Sequence, residues 1–120
     1  MNNLDLKDRV AIITGGAQGF GLAISKRIIQ SGGKVVIWDI DENAIKSAID
    51  EISSDNLSFK KVDVTNFVEI ENALLETEKE LGKIDIFVNN AGITGMNAKV
   101  WDYPLDEWKK VIELDLNSTF

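Results

Sequence analysis

Cysteine and histidine are both absent from the 120 residues. Without Cys there are no disulfides, no thiolate metal sites and no Cys nucleophile. Without His there are no His-based triads, and the usual zinc sites and the commonest general base are gone too, so no metal is expected. No apolar run approaches the roughly 20 residues that cross a bilayer. The opening Met1-Asn2-Asn3-Leu4-Asp5-Leu6-Lys7-Asp8 is polar and acidic and does not read as a signal peptide. Basic charge is scarce, with 13 Lys and Arg against 20 Asp and Glu and a net charge of −7. That balance repels phosphate backbones and anionic lipid, so neither nucleic acid nor a membrane surface is an expected partner. What remains is 44% hydrophobic and 28% charged, the composition of a globular chain with one core. The expectation is a cytoplasmic domain whose chemistry comes from a cofactor, carboxylates, hydroxyls or Lys.

Short apolar runs alternate with helical patterns. Arg9–Ile13, Lys34–Trp38 and Ile84–Val88 read as buried strands, and the more polar Leu57–Val62 suits a sheet edge. A first helix spans about Gly19 to Ser31 and stops at Gly32-Gly33. A second starts behind Asp41 as N-cap and repeats Ile45, Ala48, Ile49 and Ile52 at helical spacing. A third starts behind Thr65 and carries Phe67, Ile70, Leu74, Thr77 and Leu81 on one face, ending at Gly82. The last begins near Pro104 with Trp108, Val111 and Ile112, and lacks a Gly or Pro stop before Phe120, so it reads as interrupted. Strand and helix in strict alternation predict an α/β fold with a parallel sheet and right-handed crossovers. The long loop Gly92–Lys99 follows the last strand, where open α/β sheets bind ligands.

After the first strand comes Thr14-Gly15-Gly16-Ala17-Gln18-Gly19-Phe20-Gly21. Glycines 15, 19 and 21 sit where a strand turns sharply into a helix, and backbone amides there can close on a pyrophosphate, aided by the helix dipole. Taken alone, the octapeptide is also compatible with a glycine turn that binds nothing. Asp39 ends the second strand, eighteen residues past Gly21, near the distance at which an acid meets an adenosine ribose. Its carboxylate can accept from both ribose hydroxyls. At about 4 Å and intermediate dielectric it would repel a 2′-phosphate by a few kcal/mol before screening. Its other reading is a helix N-cap, a role Asp41 fills better.

With these residues in view, the chain resembles the short-chain dehydrogenase/reductase family over its whole length, matching the front half of that fold. Residues 14–21 match the T-G-x-x-x-G-x-G cofactor motif, with Phe20 where Ile is commoner. Asp63-Val64, closing the third strand, matches members in which the carboxylate meets the adenine amino group and the next amide assists. Asn89-Asn90-Ala91-Gly92 matches the N-N-A-G signature. The resemblance implies that Asn89 ties the central strands while Asn90, Ala91 and Gly92 lie along ribose and pyrophosphate. It also implies a doubly wound Rossmann-type sheet in three layers, order 3-2-1-4, with two helices on each face. Residues 1–120 would form one NAD(P)-binding domain cut within the helix after the fourth strand. Gln18 and Ile40 stand where NADP-using members place Arg or Lys, and with Asp39 they favour NAD. Trp108 and Val111-Ile112-Glu113 look most like the 3-oxoacyl-carrier-protein-reductase-like subgroup.

The family's chemistry is a reversible hydride transfer between NAD(H) and an alcohol/ketone pair, usually in homodimers or homotetramers. It uses a Ser and a Tyr with a Lys four residues later, because a phenol near pKa 10 is a poor base without an adjacent ammonium. The single tyrosine, Tyr103, is followed four residues later by Glu107, so it reads as a packing or substrate-loop residue. The family's helix Asn is followed five residues later by an aromatic. Counting back from Phe120 puts Asp115 in that position, and not Asn117. Asp115 is then either the family position, able to act through its backbone carbonyl, or a helix-surface acid. On the first reading, Asp115→Asn leaves the activity of a full-length protein similar or higher. The expectations are therefore the NAD-binding portion of an oxidoreductase that is inactive alone or, in other classes, an inert dinucleotide-binding module or a fragment without function.

Overall fold

The computed structural model describes residues 3–120. Four parallel strands, β1 (Val10–Thr14), β2 (Lys34–Asp39), β3 (Leu57–Lys61) and β4 (Ile86–Val88), lie in the order β3-β2-β1-β4. Between them run α1 (Gly19–Gln30), α2 (Glu42–Ile52) and α3 (Phe67–Leu81). After β4 come a 3-10 turn (Val100–Asp102), α4 (Leu105–Ile112) and a π-helical turn (Glu113–Asn117). The expected α/β order and topology are observed.

Every residue of β1 is buried, as expected of a central strand covered on both faces. Alternate side chains go to opposite faces. Ala11, Ile13, Val35 and Ile37 pack against Ile28 of α1 and Ile45 and Ala48 of α2. Ile12, Val36 and Trp38 pack against Ala73 of α3, together with Val62. The polar Leu57–Lys61 forms an outer strand, where Phe59 is half-exposed and Lys60 is pinned to Glu76 and Glu80 of α3 at 3.1 and 3.3 Å. Burial draws the Lys60 ammonium down, but its hydrogen bonds to Glu76 and Glu80 outweigh that and raise its pKa above the ordinary value.

Four local expectations change. The fourth strand is shorter than 84–88, and Asp85, just before it, clamps the head of β1. Its carboxylate accepts from Val10 N–H at 3.0 Å and from Arg9 Nη1 at 3.3 Å, and its own amide donates to the Val10 carbonyl. The N-cap of α3 is Asn66, whose side chain accepts from Glu69 N–H. Thr65 lies one residue before the cap, its amide and hydroxyl both donating to Asp63 Oδ1, at 2.9 and 2.6 Å. That same turn carries Asp63-Val64 just past β3, which closes at Lys61. Phe67 is 71% exposed, so the buried stripe of α3 centres on Ala73 and Thr77, with Ile70, Leu74 and Leu81 partly buried. In contrast, Asp41 caps α2 as expected, accepting from Ala44 N–H at 3.1 Å. Two helices cover one face. On the other face α3 packs on the sheet, while residues 113–120 stand off it across a cavity of about 420 Å³ that Trp38 and Phe87 floor.

Candidate functional site

At the carboxyl ends of the strands lies a crevice of about 450 Å³. It brings together Gly15 and Gln18 after β1, Asp39 and Ile40 at β2, Asp63 and Val64 after β3, and Asn90, Ala91 and Gly92 after β4. Gly19, Phe20 and Gly21 form the head of α1 beside it without lining it, and Phe20 is 87% exposed.

The turn from β1 into α1 needs its glycines for different reasons. Gly15 and Gly19 take φ of +61° and +59°, the left-handed region that Cβ-bearing residues disfavour. Gly21 is a close-approach position. A Cβ there would run into the Gly15 carbonyl and lie 2.6 Å from Asn90 Nδ2, so this glycine lets α1 sit against the strand ends. The head of α1 is left open. Asp41 and Asn66 cap α2 and α3, and each of those helices has a Glu in its first turn. Gln18 at the start of α1 makes no side-chain cap, and no acid occupies the first turn. The positive end of that dipole and its unpaired amides therefore remain available to an anionic ligand.

Asp39 is buried at 8% exposure and already holds two backbone groups. Its Oδ2 accepts from Ala17 N–H at 3.2 Å and its Oδ1 from Asp41 N–H at 3.0 Å. Each carboxylate oxygen accepts more than one donor, so a diol can still be bound. The Asp63 carboxylate is half engaged, its Oδ1 taken by Thr65 while Oδ2 has no partner among the described residues.

Thr14, which sequence reasoning left without a role, organises the far wall. Its buried hydroxyl donates to the Val88 carbonyl at 3.2 Å and accepts from Asn90 and Ala91 N–H at 2.9 and 3.1 Å. A polar residue ending an otherwise apolar buried strand was the available signal. The tie between central strands falls to Asn90, not Asn89. Asn90 Nδ2 donates to the Thr14 and Gly15 carbonyls, both at 3.1 Å, whereas Asn89 is exposed and reaches only the Thr119 carbonyl at 3.5 Å. The side-chain parity of the strand, followed to its end, turns Asn90 inward.

Asp115 sits in the π turn and is not simply a surface acid. Its Oδ1 accepts from Ile93 N–H at 2.9 Å and lies 3.1 Å from where a Cβ on Gly92 would be. Asn117 is turned away, donating to Glu113 Oε2 at 2.8 Å. Ile93 and Leu114 also line the crevice, positions that local sequence pattern did not single out.

The profile of the family described as short chain dehydrogenase matches residues 9–120. The chain belongs to that family. Among its relatives, a 2-dehydro-3-deoxy-L-rhamnonate dehydrogenase (NAD(+)) of a Sphingomonas species is 38% identical over 112 residues, covering 93% of this chain and 44% of the relative. A probable NADP-dependent mannitol dehydrogenase of Yarrowia lipolytica is 37% identical over all of this chain and 44% of its own. The crystal structure of a short chain dehydrogenase from Bacillus anthracis superposes with a TM-score of 0.91 at 31% identity, over 96% of this chain and 48% of that one. The chain thus spans less than half the length of these family members.

Proposed function

We propose that residues 1–120 are the dinucleotide-binding portion of an oxidoreductase that moves hydride between NAD(H) and an alcohol/ketone pair. The uncapped, acid-free head of α1, facing the buried Asp39 carboxylate across a glycine turn, carries this reading. The unpaired backbone amides at the head of α1, residues 19–21, would hold the pyrophosphate in the turn 15–21, Asp39 the adenosine ribose, and Asp63 and Val64 the adenine. Asn90, Ala91 and Gly92 would run along the second half of the cofactor. When bound, the nicotinamide supplies the hydride acceptor or donor, and the alcohol proton leaves to a base. The balance is alcohol plus NAD⁺ giving ketone, NADH and a proton.

NAD is the preferred form because Asp39 repels a 2′-phosphate, while Gln18 and Ile40 offer it no cation. The two named relatives divide between the cofactors, so the preference rests on these residues. The proton-transferring pair is assigned outside these 120 residues, since Glu107 follows Tyr103 where a Lys is required. The chain alone is therefore expected to show no NAD-dependent alcohol oxidation, and measurable turnover by the pure chain would contradict this. The complete protein is proposed to be a cytoplasmic homodimer or homotetramer acting on a small alcohol or ketone. No helix among the described residues is long and apolar enough to cross a membrane.

Calorimetric titration tests the cofactor assignment. NAD is expected to bind at least tenfold more tightly than NADP, and Asp39→Asn to narrow that ratio by about tenfold or more. Equal affinities in the unaltered chain would remove the role given to Asp39.

A further inference from the structure

The loop after β4 is held at two points by side chains that follow it in the chain. Asp115 receives Ile93 N–H, and the Tyr103 hydroxyl accepts from Met96 N–H at 2.9 Å. The second contact has a fitted socket. Gly95 takes φ of +74°, and a Cβ there would overlap the Tyr103 hydroxyl and lie 2.7 Å from Val111 Cγ2. The half-buried Tyr103 ring is itself set against α4, edge-on to Trp108 with centroids 6.4 Å apart at 85°. Thus α4 fixes the ring, and the ring's hydroxyl fixes the loop.

The strand order says what this loop borders. Across the crevice the sheet presents Asp63 after β3, Asp39 at β2, Gly15 after β1 and Asn90–Ile93 after β4. A dinucleotide with its first ribose at Asp39 and its pyrophosphate on the glycine turn has only the β4 side along which to lay its second nucleoside. Gly92 and Ile93 wall that side. We infer that Tyr103 is a positioning residue: through the Met96 amide, in the socket left by Gly95, it holds the wall against which the second nucleoside lies. This rests on the dinucleotide reading above.

Tyr103→Phe removes the hydroxyl and keeps the ring. AMP carries only the adenosine half of the cofactor and NAD carries both halves. The variant is expected to lose three- to tenfold in NAD affinity, the worth of one hydrogen bond, while AMP affinity stays within twofold. Amide exchange at Met96, measured without any nucleotide, is expected to speed up about tenfold or more. Gly95→Ala should reproduce both effects by displacing the hydroxyl, and the double variant should lose no more than the larger single loss. Unchanged exchange at Met96, or NAD and AMP weakened in equal proportion, overturns the latch. A wild-type chain that binds neither nucleotide overturns the dinucleotide reading, and with it the role assigned to this wall. Nucleotide binding that Tyr103→Phe leaves intact overturns the latch alone.

Discussion

Replacing Thr14 with Val keeps the shape of a buried side chain and removes one hydroxyl. That hydroxyl uses its single proton on the Val88 carbonyl and both lone pairs on the amides of Asn90 and Ala91. Thr14 is 3% exposed, so water cannot readily replace it. Two stranded N–H groups at about 1–3 kcal/mol each give an expected loss of about 2–6 kcal/mol. A domain of this size has only about 5–15 kcal/mol in total. Thr14→Ser keeps all three bonds and loses one methyl group, a cost of about 1 kcal/mol. Urea unfolding followed by tryptophan fluorescence measures both variants. The Val variant should be less stable than the Ser variant by at least about 1 kcal/mol, and its NAD affinity should fall with the displaced turn. Equal stability for Val and Ser would refute the reasoning that the hydroxyl joins β1 to the turn after β4.

Gly21→Ala should abolish NAD binding, because its Cβ can be admitted only by pushing α1 off the Gly15 carbonyl and Asn90; titration showing wild-type affinity would contradict this. Asp85→Asn tests the clamp at the opposite end of the sheet. Its carboxyl is held below the ordinary value of 3.8, first by the Val10 amide and then by Arg9. A depressed folded pKa contributes stability above the unfolded pKa and loses it as pH falls through the folded one. The variant should therefore be less stable than wild type at neutral pH, with the gap closing below about pH 3.8 as the folded carboxyl takes its proton. A gap independent of pH would show that charge is not what Asp85 contributes.

Local pattern carried the architecture because burial on both faces forces continuous apolar runs such as Val10–Ile13 and Val35–Trp38. Asp41 was legible as a cap because capping is decided within three residues. What local pattern missed depends on partners far away in sequence. Thr14 and Asn90 meet across 76 positions, and Asp85 clamps the head of β1 through the Val10 amide. The α3 cap was misplaced for a different, local reason: Asn66, next to Thr65, is equally suited to accept a helix amide and is the residue that receives Glu69 N–H. Phe67 falls on the helical stripe by count, yet it stands at the rim of the cavity between α3 and residues 113–120. Tyr103 gave no local sign of its link to Met96, since the socket at Gly95 exists only once the loop has folded back onto α4.

The central claim is that the glycine turn and the neighbouring strand ends together grip a nicotinamide dinucleotide. Backbone amide NMR during NAD titration reads every part of that grip at once. The largest shifts are expected at residues 15–21, 39–41, 63–64 and 90–93, with little change along α2 or the outer face of α3. Saturating NAD that leaves those amides unmoved, or that moves a different surface, would contradict it.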